Sequence, residues 1–256
     1  MTVSCRSGLY RVIEARQLTK LFRDRKRQSI RAVDGVQFRC EPGQIYGLLG
    51  ANGAGKTTTL RMLATLLKPS SGTASVAGHD IVREPNHVRA RVGFISSGTA
   101  LYGRLTARET AEYFGRLYGV GEDRLRSRIQ ELFARLEMGG FENRRCDKLS
   151  TGMKQKVSIV RTLIHDPPVM IFDEPTLGLD VMTARTIVQF IRDCRQNGKT
   201  VILSTHVMSE AEKLCDRVGI IHDGRLRAEG TLEQLRAQFQ ATDLEDVFVR
   251  SMEVTI

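Results

Sequence analysis

The chain has 256 residues, of which 41% are hydrophobic, and its formal net charge is +10. This hydrophobic fraction is ordinary for a globular protein, so the composition argues against disorder. The longest apolar runs have the length of strands and fall well short of the roughly 18 residues that a membrane-spanning helix needs. No apolar stretch of the signal-peptide kind follows the N-terminus. We therefore expect a cytosolic protein that reaches the membrane only through a partner.

The distribution of basic residues argues against nucleic-acid binding, and that of the cysteines argues against a cysteine-containing metal site. Basic residues are spread over several segments, and aromatic residues do not alternate with them as in a single-strand binding platform, so we do not expect nucleic acid as a partner. The five cysteines contain no Cys-x-x-Cys pair and lie at no metal-ligand spacing to His165, His206 or His222. We expect them to be free thiols.

The first forty residues alternate apolar and polar side chains, as in residues 10–15 and 33–40, which predicts half-buried strands of an antiparallel sheet. The polar and basic segment 23–29 between them predicts an exposed hairpin loop. An apolar strand is then predicted at residues 45–49, and a helix at residues 56–67.

Residues 50–58, which read Gly-Ala-Asn-Gly-Ala-Gly-Lys-Thr-Thr, fit the phosphate-binding P-loop pattern between that strand and that helix. Glycines let consecutive backbone N–H groups point at phosphate oxygens, and the helix N-terminus adds partial positive charge. Lys56 can reach the β and γ phosphates of ATP, and the Thr57 hydroxyl can bind Mg²⁺. The residues predicted to contact the nucleotide here are Gly50, Asn52, Gly53, Ala54, Gly55, Lys56, Thr57 and Thr58.

Downstream, residues 106–138 carry apolar side chains at helical spacing, which predicts a helical insertion within a nucleotide-binding core. The elements predicted after it are a helix from residue 151, a strand at 169–172, a helix at 183–197 and a strand at 200–204. This alternation of strands and helices predicts a mainly parallel sheet. An Asp-Gly pair within residues 219–226 predicts a late β-hairpin.

Two carboxylates, Asp173 and Glu174, follow the apolar strand at 169–172, at the end of the sheet where α/β proteins bind ligands. Asp173 would hold Mg²⁺, directly or through water. Glu174 would orient and polarise the water that attacks the γ-phosphate. The alternative is a helix-capping acid and a surface ion pair, which the nearby P-loop disfavours.

The segment 149–153 reads Leu-Ser-Thr-Gly-Met, and Ser150 and Gly152 open a predicted helix whose N-terminus suits an anion. An ordinary N-cap is the alternative, because Ser-x-Gly is common. The segment lies between the P-loop and the Asp-Glu pair, and it resembles the signature of the ABC ATPase family, LSGGQ. Threonine and methionine replace the family's residues at two of the five positions. The resemblance extends from about residue 12 to residue 250.

The resemblance implies roles for three further residues. Asp180 ends a Leu-Gly-Leu-Asp run similar to the family's D-loop, and His206 is similar to its switch histidine, a neutral imidazole that senses the γ-phosphate. Phe22 matches the aromatic residue that stacks on adenine, with a simple core or edge aromatic as the alternative. Lys56, Glu174 and His206 are the implied catalytic residues, and Thr57 and Asp173 the implied metal ligands.

The resemblance also implies a fold and a mode of assembly. The fold is α/β, a P-loop NTPase with a RecA-like parallel-sheet core, an N-terminal antiparallel β-subdomain and an inserted helical subdomain at about 100–155, all within one ABC ATPase domain of residues 1–256. ATP and Mg²⁺ are the expected ligands. In the family, the signature of one domain closes over the P-loop of another. The chain would therefore pair with a second ATPase domain, most simply a second copy.

One departure from the family's usual pattern helps to indicate which branch of the ABC ATPases the chain resembles. Ser97 occupies the position where the family usually has a glutamine that reaches Mg²⁺, and a serine would need a bridging water. The run from residue 93 to residue 109 is similar to ATP-binding subunits of NatA-like sodium-extrusion exporters, as are residues 150–156 and 164–168. We expect an ATPase on the cytoplasmic face of the membrane that powers a separate permease exporting sodium or another small solute or drug.

Two alternatives remain open at this point. The first is a soluble ABC ATPase acting on ribosomes or DNA, although translation-type members carry two ATPase domains and repair-type members carry long coiled coils. The second is a small-molecule kinase that uses the P-loop, which the signature, the D-loop and Glu174 together disfavour.

Overall fold

The computed structural model describes residues 12–23, 29–96 and 100–253. Ser97 and most of the predicted loop at 23–29 lie outside this part of the chain, and so does Cys5. The other four cysteines are buried free thiols, as the sequence predicts. Among the described residues, no helix combines the length and the apolar character needed to cross a bilayer.

The described strands form two sheets. They are β1 (Ile13–Arg23), β2 (Ser29–Cys40), β3 (Ile45–Leu49), β4 (Ser71–Val76), β5 (His79–Asp80), β6 (Val92–Ser96), β7 (Val169–Asp173), β8 (Thr200–Thr205), β9 (Arg217–His222) and β10 (Arg225–Gly230). The smaller sheet is antiparallel in the order β2-β1-β4-β5, and the larger has the order β10-β9-β3-β8-β7-β6. Neighbours in the larger sheet are parallel except for the hairpin of β9 and β10.

The helices are α1 (Lys56–Leu63), α2 (Pro85–Arg89), α3 (Ala107–Leu117), α4 (Glu122–Arg135), α5 (Thr151–Leu163), α6 (Val181–Gln196), α7 (Met208–Leu214), α8 (Leu232–Phe239) and α9 (Leu244–Glu253), with a 3-10 turn at Cys146–Lys148. The first helix is shorter than predicted because Thr65 adopts the left-handed conformation, with φ of 59°, and ends it. The predicted helical stretch 106–138 divides at Gly119, whose φ is 72°.

The central strands of the larger sheet are buried on both faces. All residues of β3, β7 and β8 are buried, as expected of strands covered on both faces. Alternate residues of β3 face opposite sides of the sheet: Ile45 and Leu49 belong to the core formed with α3–α9, whereas Tyr46 and Leu48 belong to the core formed with α1 and the smaller sheet. The predicted fold class is confirmed, with a parallel core, an antiparallel N-terminal sheet and a helical portion.

The predicted hairpin also forms, between β9 and β10. Asp223 and Gly224 at its turn have φ of 47° and 75°. Positive φ at both central residues is the requirement of a type I′ turn, which Asp-Gly satisfies well. The Gly224 N–H donates to the carbonyl of Ala54, so the hairpin also supports the P-loop.

Candidate functional site: a P-loop and two carboxylates at one sheet edge

Three neighbouring parallel strands bring the predicted catalytic residues together. The register pairs Leu49 of β3 with Thr205 of β8, and Ser204 of β8 with Asp173 of β7. The P-loop, Glu174 and His206 follow these strand ends directly. Chemically active side chains that are far apart in sequence therefore lie at a single edge of the sheet.

The P-loop packs so closely on its surroundings that two of its positions accept only glycine. Gly55 has φ of 108°, and a Cβ there would lie 2.6 Å from the carbonyl oxygen of Ala32 on β2. A Cβ on Gly50 would collide with the backbone of Ile221. The loop borders a cavity of about 140 Å³ lined by Ala32, Ala51, Asn52, Gly53, Gly55, Lys56, Thr57, Thr58 and Glu174.

The ammonium group of Lys56 is buried and contacts three oxygens. It donates to the carbonyls of Gly50 at 2.6 Å and Ala51 at 3.2 Å, and it lies 3.2 Å from Oε1 of Glu174. These contacts hold the positive charge against the inner wall of the loop. A phosphate oxygen entering the cavity would meet a cation fixed in place before binding.

Thr57 and Asp173 form one hydrogen-bonded unit across two elements. The Thr57 hydroxyl donates to Oδ1 of Asp173 at 2.9 Å, and the buried Ser204 hydroxyl donates to the same oxygen at 2.8 Å. Hydroxyl and carboxylate oxygens are the donors that Mg²⁺ prefers. The pair therefore fits the cation that the sequence predicts, and Ser204 orients the carboxylate.

Glu174 is held in an unusual backbone conformation by its neighbours. Its φ is 50°, and conformations of this kind cost of order 1–3 kcal/mol for a non-glycine residue. Its N–H lies 3.2 Å from the Ser204 carbonyl oxygen and 3.1 Å from the Ser204 hydroxyl oxygen. Its Oε2 lies 2.8 Å from Nδ1 of His206, which places this carboxylate between the histidine and Lys56.

The signature residues lie in a different environment. Ser150 caps α5 by accepting the N–H of Met153 at 3.3 Å, and neither Ser150 nor Gly152 lines the P-loop cavity. A Cβ on Gly152 would approach the side chain of Thr183 to 3.0 Å, so this glycine lets the starts of α5 and α6 pack together. The signature therefore stands apart from the phosphate cavity of its own chain.

Asp180 caps α6 by accepting the N–H groups of Met182 and Thr183, each at 3.0 Å. The hydrogen bond from the Thr183 hydroxyl, at 2.7 Å, is the main cause that lowers the pKa of Asp180 below its usual value. The carboxylate is thus ionised and exposed beside the signature.

Phe22 lies on β1 with 40% of its surface exposed, which excludes the alternative of a core aromatic. It pairs with Ile30 on β2, two residues before the cavity-lining Ala32. The Lys20 ammonium lies 5.4 Å from its ring centre. An exposed aromatic ring on the strand that pairs with β2 suits a stacking role.

Sequence reasoning missed two residues that organise the site. Ser204, described above, is the first. Gln155 on α5 is the second: it is buried, and its amide donates to the carbonyl of Pro175 at 3.3 Å. This contact connects the signature helix to the segment that follows Glu174. A polar residue at a buried helix position is the only signal that the sequence offers for it.

Comparisons with known proteins agree with this geometry. The family model described as ABC transporter matches residues 33–177. The chain is 43% identical over 235 residues to the ABC transporter ATP-binding protein NatA of Bacillus subtilis (strain 168), covering 91% of this chain and 95% of that protein. It is 39% identical over 220 residues to the daunorubicin resistance ATP-binding protein DrrA3 of Streptomyces coeruleorubidus, covering 86% and 69%.

Solved structures show the same fold. An ATP-binding subunit of an ABC transporter matches with a TM-score of 0.85 and 30% identity, covering 94% of this chain and 99% of that one. A dimeric, post-hydrolysis ATP-binding cassette bound to ADP and Pi matches with a TM-score of 0.79 and 27% identity, covering 86% and 98%. The family resemblance is confirmed: this chain belongs to the ATP-binding subunits of ABC transporters and is an ABC ATPase.

Proposed function

We propose that the chain is the ATPase of an exporter: it binds and hydrolyses ATP with Mg²⁺ and so powers a separate membrane permease. The observation that carries the proposal is the chain of contacts from Lys56 through Glu174 to His206, beside the Thr57–Asp173 pair. It places a phosphate-binding cation, a carboxylate base and a pair of metal-binding oxygens around one cavity.

The P-loop binds the phosphates through its backbone N–H groups and Lys56. Thr57 and Asp173 would hold Mg²⁺, which when bound neutralises phosphate charge. Ser204 keeps Oδ1 of Asp173 directed at Thr57. Because these oxygens are already in place, little reorganisation is needed on binding.

Glu174 accepts the proton of the attacking water, and positioning of that water accounts for the rest of its contribution. Its two oxygens have different neighbours, Lys56 and His206. A γ-phosphate would compete with Glu174 for the Lys56 ammonium. Binding of ATP would thereby free Oε1 of Glu174 for water, while His206 holds Oε2 in place.

The signature residues act on the nucleotide of a second ATPase domain, most simply a second copy of this chain. Ser150, Gly152 and Asp180 lie outside their own phosphate cavity, and the similar cassette described above is a dimer. Leu177, Val181 and Met182 expose 52%, 69% and 69% of their surfaces beside Asp180, an apolar margin for such a contact.

Phe22, the exposed aromatic residue of β1, stacks on the adenine ring of ATP in this proposal.

All of residues 1–256 act as one ABC ATPase domain. The permease docks on it where the parallel core meets the helical portion at about 100–155. A cavity of about 580 Å³ opens there, between Phe94 of the core, Phe114 of α3 and Tyr118, which directly follows α3. Arg89 and Arg161 also line it. An apolar floor with basic sides suits a short cytoplasmic helix that carries acidic residues, and it would hold the subunit on the cytoplasmic face of the membrane.

Similarity to other proteins supports a proposal for the cargo. The named relatives include a daunorubicin resistance protein, and the segment 93–109 resembles the ATP-binding subunits of sodium-extrusion exporters. We propose that the cargo is a sodium ion or another small solute or drug, handled by the permease.

The docking assignment can be tested by exchanging residues 97–104 for those of a distant relative. This variant should uncouple transport and spare basal hydrolysis; loss of ATP binding in it would contradict the docking assignment.

The direct test of the ATPase proposal is Glu174→Gln. We expect hydrolysis to fall by about 10²–10⁴-fold, the usual contribution of a general base, while ATP binding and an ATP-dependent dimer persist. Glu245→Gln, on the exposed face of α9, is the matched control and should leave both unchanged. Phosphate release and size-exclusion chromatography are the measurements. Hydrolysis at the wild-type rate in Glu174→Gln would contradict the assignment.

A further inference from the structure

A second cluster of coordinating side chains lies outside the nucleotide site, at the far end of the smaller sheet. His79 is on β5, Glu84 immediately precedes α2, and His87 lies within α2. One potential ligand atom from each of the three lies within 4.8 Å of the other two. Neither the P-loop chemistry nor the signature uses these residues.

The turn that carries the cluster is fixed by hydrogen bonds of its own. Oδ1 of Asp80 accepts the N–H groups of Val82 and Arg83, each at 2.8 Å, and its Oδ2 accepts the Thr73 hydroxyl at 2.9 Å. The fully buried Val88 anchors α2 in the core. The backbone positions of His79, Glu84 and His87 are therefore set before any ligand arrives.

The side chains are already assembled on this turn. Nδ1 of His79 lies 3.1 Å from Oε1 of Glu84, whose Oε2 accepts the Asp80 N–H at 3.2 Å. The rings of His79 and His87 are stacked, with centres 5.0 Å apart and planes within 17°. A His–Glu hydrogen bond explains two of these residues but gives no reason for the second imidazole beside them.

We propose that His79, Glu84 and His87 bind a divalent transition-metal ion of the zinc type. Two imidazoles and one carboxylate suit Zn²⁺, Cu²⁺ or Ni²⁺ and not the oxygen-seeking Mg²⁺ of the nucleotide site. Bond lengths near 2.0–2.1 Å require the ligand atoms to close to about 3.3 Å. His87 is exposed and Glu84 half-buried, so their side chains have room to rotate towards the ion, and water would complete the coordination.

The metal would join the smaller sheet to the core. The helix α2 packs on both β5 and β6. Arg89, two residues after His87, lines the 580 Å³ cavity. Metal binding would therefore hold α2 against β5 beside that cavity. This inference does not depend on the proposed export function.

The test is calorimetric titration of the untagged full-length chain with ZnCl₂, without nucleotide because phosphates also bind metals. We expect one Zn²⁺ per chain, lost in His79→Ala and in His87→Ala and retained in His222→Ala. His222 is the matched control because it lies on β9 beside Asp223, outside the cluster. Co²⁺ should give visible absorption of a nitrogen and oxygen site, without a thiolate charge-transfer band.

A second readout guards against misfolding of the variants. His87 is exposed, so His87→Gln should melt at the wild-type temperature in the presence of a chelator. Zn²⁺ should raise the melting temperature of the wild type reversibly and leave that of His87→Gln unchanged. Zinc binding that survives in the folded His79→Ala/His87→Ala chain, or no binding by the wild type, would overturn the proposal.

Discussion

The P-loop half of the site and the signature half differ in how their residues are held. In the P-loop half, functional side chains contact partners from other elements: Thr57 bonds to Asp173, and Glu174 lies between Lys56 and His206. In the signature half, Ser150 and Asp180 bond only to the helices that they begin, as far as the described residues show.

This difference has a functional meaning. A preorganised cluster stabilises developing charge without reorganisation, so the P-loop half can bind nucleotide as the chain stands. Helix N-termini capped by exposed residues are suited to meet an anion that comes from outside. On the proposed function, one chain would hold two halves of different sites, and a complete site would need a second ATPase domain.

The largest effect on ATP binding is expected for Lys56→Ala. It removes a charge-assisted contact to phosphate worth about 1.5–3 kcal/mol, so ATP affinity should fall by about 10–100-fold. Lys68→Ala, at an exposed position, is the control. Binding of a fluorescent ATP analogue is the measurement. Equal affinity in both variants would mean that the backbone of the loop alone holds the phosphates.

A smaller effect is expected for Gly152→Ala, which separates two roles of this glycine. The added Cβ would meet Thr183 at 3.0 Å, and overpacking of this kind costs about 1–3 kcal/mol. Thr183→Ala removes the obstructing atoms, so the double variant should recover stability against urea. If the double variant recovers stability but not hydrolysis, the glycine is also needed at the partner's phosphate; if it recovers both, packing is its whole role.

The smallest effect concerns pH and is expected beyond the C-terminal end of α5, the helix that the signature begins. Burial lowers the pKa of His165, just after α5, from its usual 6.5 to about 4, and its ring stacks on Tyr118 at 3.8 Å. Because the folded pKa lies below the unfolded one, the unfolded chain takes the proton first, and stability is lost as pH falls from 6.5 towards 4.

We expect this loss to be about 1–2 kcal/mol between neutral pH and pH 4, after allowance for the partial exposure of the ring. His165→Phe keeps the stacking and cannot be protonated, so it should flatten the dependence of urea stability on pH in this window. His222→Ala should keep the wild-type slope. A slope unchanged in His165→Phe would assign the acid sensitivity to other groups.

Local patterns predicted most of the fold and the phosphate-binding half of the site. The P-loop and the Asp173–Glu174 pair are recognisable because each combines a buried strand with specific residues directly after it. The β9–β10 turn is recognisable because only a few dipeptides, Asp-Gly among them, readily adopt positive φ angles at both residues.

Contacts between distant elements explain what the sequence did not predict. Ser204 ends a buried strand like many serines, and only the register with β7 reveals that it holds Asp173. The need for glycine at residue 152 comes from Thr183 on another helix. His79, Glu84 and His87 come from a strand, a turn and a helix, so they share no periodicity that would predict a metal site from the sequence.

The most direct test of the central claim, that each complete site uses two chains, is a mixture of two variants that are each impaired in hydrolysis. Lys56→Ala impairs the P-loop, and Ser150→Asp keeps the helix cap but places a negative charge opposite the partner's phosphate. In a mixed dimer, one site combines an intact P-loop with an intact signature. Equal amounts should regain about a quarter of wild-type hydrolysis, since half the dimers are mixed and each has one intact site. A mixture no more active than either variant alone, beside an active wild type, would contradict the account.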